Sequence, residues 1–183
     1  MITNYEQSER HKVFLSYYHK DDERWREKFE ESFSPYFINK SVKIGDIDPD
    51  NSALYTKRLI MEKYITDTSV LIVLIGPHTW GRKHVDWEIS AALNYKVGNH
   101  YAGLMGLILP THASYRQMYY DESIVPPRLV ANQRSGYARI YDWTYDADTI
   151  KGYVQTAFDE RKSKSHLRVR GAEQFARNKS GSF

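Results

Sequence analysis

Apolar and polar positions follow two alternating periods along this chain. Residues 12–18, KVFLSYY, form a β-rich run too short for a helix and bounded by charge, which predicts a first strand. Over residues 20–33 the spacing lengthens: Trp25, Phe29 and Phe33 recur at four-residue intervals among charged residues, so the segment predicts an amphipathic helix. Asp21, Asp22 and Glu23 suit its N-terminus, where the helix dipole favours negative charge. Residues 36–44 predict a second, weaker strand, and 45–52, GDIDPDNS, a turn-forming loop whose Ser52 would cap a helix over 53–66. The unbroken run at 69–76, SVLIVLIG, predicts a strand covered on both faces.

Beyond a short loop, PHTWGRK, residues 84–97 carry Val85, Ile89, Ala92 and Lys96 on one helical stripe that stops at Gly98. A fourth strand is predicted over 101–109, then a long polar connection over 111–135, a fifth strand over 137–143 and a last helix over 146–164. Five strands alternating with helices imply an α/β fold, a mostly parallel sheet with helices on both faces. In such a sheet the ligand site lies beyond the C-terminal ends of the strands, where strand order reverses.

Composition narrows the chemistry. The 183 residues are 41% hydrophobic and 27% charged, enough for one packed domain of roughly 150 residues with a remainder. Residues 10–165 are read as that domain and 166–183 as a basic, flexible C-terminal tail. The stretch 159–183 holds 7 Lys or Arg against 3 Asp or Glu, so it carries the surplus behind the net charge of +3. No groove-reading motif accompanies those cations, so a solvated terminal segment is preferred to nucleic-acid binding. With no cysteine, thiolate nucleophiles, disulfides and Cys-ligated metals are excluded. The polar start MITNYEQSERHK and the shortness of the apolar runs predict neither a secretory signal nor a membrane span, and a cytoplasmic location is expected. GxGxxG after the first strand, GxxxxGK[ST], HExxH and GxSxG are all missing, so dinucleotide fingerprint, P-loop, zincin and hydrolase-elbow chemistry have no motif to rest on, and no metal is expected.

What remains is Glu88. At about 100° per residue it follows Val85 by three positions and precedes Ala92 by four, so it leaves its helix at the border of the core-facing stripe, half buried, with His84 one turn earlier on the same face. Ala91 and Ala92 leave room for a ligand beside it. A solvated or salt-bridged helix glutamate has the same spacing, and spacing alone does not choose. Ser16, Tyr17 and Tyr18 offer hydroxyls and rings at the exit of the first strand, Trp80 offers a stacking face, and Asp46 a polar contact; each aromatic fits core packing as well.

The segments VFLSYYHKDD, GDIDPDNSALYTKRLI and TSVLIVLIGPHTWGRKHVDWEISAAL, in that order, resemble the TIR-like domain family, and within it the bacterial TIR-like proteins of the Thoeris anti-phage system. The likeness covers about residues 12–109, with RIYDW near the end also similar. It implies a flavodoxin-like fold for the domain. It also implies cleavage of NAD, as substrate and not as cofactor, at the nicotinamide–ribose bond, with the catalytic glutamate falling on Glu88. Ser16, Tyr17, Tyr18, Asp46, Trp80 and His84 are then the expected substrate contacts. The loop over 45–52 matches the BB loop, which borders substrate and mediates assembly. The family often has tryptophan four positions before the glutamate, where this chain has His84.

The implied product is a cyclic ADP-ribose type signal that reaches a separate effector by diffusion, with self-assembly of TIR-like domains a further expectation. Nicotinamide leaves a cationic glycoside as a neutral group, so a single carboxylate can suffice where ordinary glycosidases need two. From another class, a non-catalytic TIR-like interaction module would use the 45–52 loop to bind a partner and keep Glu88 as structure. Nucleoside N-glycosyl transfer on the same fold is the third reading.

Overall fold

The computed structural model describes residues 10–41, 59, 65–171 and 173–180. Five strands, β1 (His11–Ser16), β2 (Phe37–Asn39), β3 (Val70–Ile75), β6 (Gly103–Ile108) and β7 (Ala138–Asp142), form one sheet in the order β2-β1-β3-β6-β7. All four pairings are parallel. This is the flavodoxin-like order, and the chain reverses direction across the sheet between β1 and β3. Helices α1 (His19–Phe33), α2 (Lys83–Asn94), α3 (Pro127–Ser135) and α4 (Ala147–Ser163) cover its two faces.

The alternation within each strand sorts the core into two layers. Val13, Leu15, Val70, Ile72, Leu74, Met105 and Leu107 pack with Trp25, Phe29 and Phe33 of α1 and Ile150 and Val154 of α4. Phe14, Leu71, Val73, Ile75, Leu104 and Ile108 face the other way, onto Val85, Ile89 and Leu93 of α2 and Leu129 and Val130 of α3. Every residue of β3 is buried, as expected of a strand covered on both sides.

The predicted strands, and the predicted helices that fall on described residues, are recovered with shifted ends. β2 stops at Asn39, and the edge of β1 is then completed by a side chain, the Ser41 hydroxyl accepting the Leu15 N–H at 2.7 Å. The helix predicted to run to residue 97 ends at Asn94, where Tyr95 turns extended, and a two-strand hairpin follows, β4 (Lys96–Val97) against β5 (His100–Tyr101). Gly98, read from sequence as a helix stop, turns that hairpin in the left-handed region at φ 63°. Within the long connection, Pro127 occupies the first turn of α3, where its missing N–H costs nothing, and Gly136 ends the helix in the left-handed conformation. The predicted loop over 45–52 and nearly all of the helix over 53–66 lie outside the described residues. The last predicted residues, Ile65 and Thr66, belong to a 3-10 turn, Ile65–Asp67.

Where composition predicts a frayed end, the chain instead crosses α2 as a strap. Val169 exchanges two hydrogen bonds with the Asn132 side chain, and Arg128 Nη1 donates to the Arg170 carbonyl. Phe175 N–H donates to Asp86, and the Trp87 indole donates to the Phe175 carbonyl at 2.8 Å. Lys179 N–H then bonds the Gly81 carbonyl. Basic composition describes the strap's solvent side, while the backbone bonds that hold it have no compositional signature.

Candidate active site

β1 delivers Ser16 to the C-terminal edge of the sheet at the reversal point, and α2 passes directly over it. Ser16 is fully buried, and its hydroxyl donates to Glu88 Oε2 at 2.6 Å. Glu88 is only 5% exposed, deeper than the half-burial its spacing predicts. The reason is that α2 has no solvent face from residue 85 to 93: the sheet lies under one side, and α3 and the strap close over the other. Burial pushes the Glu88 carboxyl up to about 8, and the Ser16 hydrogen bond opposes part of that rise. Burial therefore favours the protonated form of this carboxyl.

The expected contacts fall around this pair unevenly. Tyr17 is buried in the α1 layer of the core, where the Glu88 charge still reaches its phenol, and its hydroxyl donates to Glu23 Oε2 at 2.6 Å, and Glu23 in turn accepts from Arg26. Burial first and Glu23 second hold the phenol well above its ordinary range, so Tyr17 is a neutral wall at physiological pH. Its ring stacks on His19 at 4.4 Å. Tyr18 is half-buried beneath the Arg82 guanidinium, 4.7 Å from the ring centre, which joins the exit of β1 to the start of α2.

His84 keeps an exposed edge, with its ring tilted against Trp87 at 5.1 Å. Desolvation, then Lys83 and His19, hold it below the ordinary histidine range, so it is neutral at pH 7. Trp80, in the 3-10 turn Thr79–Gly81, lines a cavity of about 660 Å³ formed with Phe175–Ser180 of the strap. Asp46 lies outside the described residues.

Two buried carboxylates escape the sequence reading. Asp22 is 1% exposed at the start of α1, accepting from Thr79 Oγ1 at 3.1 Å, while its Oδ1 has no hydrogen-bond partner. Burial pushes it up to about 6 against the Thr79 bond. It reaches this place because Gly76 ends β3 without a side chain: a Cβ there would lie 2.2 Å from Asp22 Oδ1. The spacing Asp22, Trp25, Arg26, Phe29 was the available signal, since Asp22 shares the buried stripe of α1 instead of its exposed acidic turn. Asp86 pairs with Arg128 at 2.9 Å inside the α2–α3 contact, and no local pattern links residues so far apart in the chain.

This edge thus holds a buried carboxyl that burial keeps from ionising as readily as an ordinary one, with the hydroxyl of Ser16 as its hydrogen-bond donor and the His84 imidazole one turn earlier on the same helix. Among solved structures, the chain is similar to the TIR domains in the structure of the activated Roq1 resistosome directly recognizing the pathogen effector XopQ. The identity is 10%, over 82% of this chain and 83% of that one, with a TM-score of 0.40. No curated protein matches the chain. The family model described as Thoeris protein ThsB, TIR-like domain, matches residues 14–113, which runs from the second half of β1 through β6 and includes both Ser16 and Glu88. Matched over more than half its length, the chain belongs to the ThsB TIR-like domain family.

Proposed function

We propose that this TIR-like domain cleaves the nicotinamide–ribose bond of NAD and releases a cyclic ADP-ribose type signal for a separate effector in anti-phage defence. The observation that carries the reading is Glu88, a carboxyl buried at the topological switch point and held by a single hydroxyl from the neighbouring strand. The positively charged pyridinium ring favours the carboxylate form, so substrate binding and proton release from Glu88 are linked. The carboxylate then steadies the oxocarbenium-like charge that grows on the ribose as neutral nicotinamide departs. Capture of that cation by water yields ADP-ribose, while capture by a nucleophile of the same molecule, folded back and shielded from water, yields a cyclic product. Tyr17, Tyr18 and Trp80 are the proposed walls, with Ser16, Asp46 and His84 as polar contacts.

With Glu88 only 5% exposed, the reaction also requires an opening step, for which assembly of TIR-like domains is the proposed cause. The test incubates the pure protein with NAD, with and without lysate of phage-infected cells, and follows nicotinamide release and product mass for the wild type and Glu88→Gln. Expected is release that depends on Glu88, with a product lighter than ADP-ribose by one water. Equal release from Glu88→Gln, or none in either condition alongside binding to another TIR-like domain, would overturn the enzymatic reading in favour of an interaction module.

A further inference from the structure

A second cavity, of about 500 Å³, opens at the N-terminal edge of the sheet, the end opposite to Ser16 and Glu88. Its polar lining comes from Arg10, His11 and Lys12 at and just before the start of β1, Asp67 and Ser69 before β3, and Arg161 in the last turn of α4. The volume lies within the usual range of small-molecule sites.

Arg161 is the informative residue. It is 9% exposed, with its guanidinium carbon 4.1 Å from the Phe158 ring centre, and its Nε is buried without a hydrogen-bond partner. Among the described residues, Arg26 pairs with Glu23 and Glu30 and Arg128 with Asp86, while half-buried Arg168 has a buried Nε like that of Arg161 but lies over the Tyr101 ring, away from this cavity's lining, and donates to the Ser165 hydroxyl. A guanidinium withdrawn from water without an acceptor is costly, and the Phe158 face offsets part of that cost but accepts no conventional hydrogen bond. Among the described residues, Arg161 thus keeps an N–H at the cavity wall with no acceptor of its own.

The neighbours are mostly of the same sign. Among the described residues Arg10 donates to the Ser34 carbonyl, at 3.3 Å, and Lys12 to Asp67 at 2.6 Å. Asp67 also binds Lys40 at 2.7 Å, so the one carboxylate in the lining sits between two lysines and is held below its ordinary range. His11 meets Gln155 through Nε2 and lies tilted against the Phe158 ring at 4.2 Å. Beyond the rim, His100 is held low by partial desolvation and by Lys162, Arg161 and Lys96, a further sign of accumulated positive charge.

We propose that this cavity is an anion site for a diphosphate group, with Arg161, Arg10 and Lys12 as the donors. A guanidinium matches two oxygens of one phosphate, and two arginines with a lysine suit a ligand carrying more than one charge. The site does not depend on the proposed chemistry at Glu88.

The test is calorimetric titration of the full chain with inorganic pyrophosphate, and separately with adenosine diphosphate, at constant ionic strength. Expected is saturable binding of pyrophosphate, equal in wild type and Glu88→Gln, and weakened about tenfold or more in Arg161→Gln and in Arg10→Gln. Equal affinity for the two ligands makes the free diphosphate sufficient, and clearly tighter binding of the nucleotide makes it part of a nucleotide. Arg10 is exposed, so Arg10→Gln decides the matter even where Arg161→Gln fails to fold. Absence of saturable binding at millimolar ligand, or binding that neither arginine substitution weakens, overturns the proposal.

Discussion

Arg128 and Asp86 form an ion pair at 2.9 Å with both side chains 5% exposed, and the same Asp86 carboxylate accepts the Phe175 N–H of the C-terminal strap. One charge pair thereby joins α2, α3 and the strap. Arg128→Met leaves the Asp86 charge buried with its main partner gone, and removal of one partner of such a pair costs about 3–5 kcal/mol. Urea unfolding should show that loss, and trypsin should cut at the exposed Arg177 faster than in the wild type. A cost below about 1 kcal/mol, the ordinary worth of a surface pair, with unchanged cleavage would mean that the strap is tied elsewhere.

The bond from Ser16 to Glu88 works against burial, stabilising the ionised carboxyl. In Ser16→Ala the carboxyl climbs further above about 8. On the proposed chemistry, kcat/KM for nicotinamide release rises with pH as Glu88 ionises in the free enzyme, and the variant's rise lies at higher pH. A charge-assisted hydrogen bond of about 1.5–3 kcal/mol corresponds to roughly a tenfold or greater loss at pH 7. Activity should recover toward the wild-type value as pH rises. A uniform loss at all pH values would show that Ser16 acts on packing and not on the proton.

The strands and their sidedness were legible in the sequence because a strand's burial is a local pattern: SVLIVLIG announces β3 wherever it sits. The position of Glu88 was legible for the same reason, from its phase relative to Val85 and Ala92. Its depth was not, because depth depends on the strap and α3, which arrive from distant parts of the chain. Asp86–Arg128 and Asp22–Thr79 were invisible for that reason too, since each pairs residues more than forty positions apart. The misplaced helix end at Asn94 has another cause: Lys96 continues the helical stripe, and only the hairpin pairing with Tyr101 pulls it into a strand.

Tyr17 tests how much of the wall is ring and how much hydroxyl. Its O–H is spent on Glu23, in a chain that continues to Arg26, and the buried phenol stays neutral. Tyr17→Phe keeps the ring and its stacking on His19, so stability should fall by about 1 kcal/mol, the net worth of an ordinary hydrogen bond. Nicotinamide release should change by less than about threefold, since that cost is not borne by the transition state. Tyr17→Ala removes the wall itself and should raise the share of hydrolysed over cyclic product, read by mass. A Phe variant as impaired as the Ala variant would move the hydroxyl into the chemistry.

Glu88 also leaves a signature in stability that requires no substrate. Its carboxyl is pushed up to about 8 in the folded protein, from the ordinary carboxylate range near 4.5. Between those values the folded state keeps a proton that the unfolded chain has released. Stability from this group is therefore full below about pH 4.5 and declines as pH climbs toward 8. Glu88→Gln keeps an acceptor for the Ser16 hydroxyl and has no proton to lose. Each unit of separation is worth about 1.4 kcal/mol, so the variant should gain on the wild type by a few kcal/mol between pH 5 and pH 8. The comparison is a difference between two chains, so Asp22, which titrates in the same direction at about 6, drops out because both proteins carry it. Thermal midpoints that move in parallel across that interval would mean that Glu88 is already ionised in the folded chain, and the picture of a buried, neutral acid awaiting a cation would be wrong.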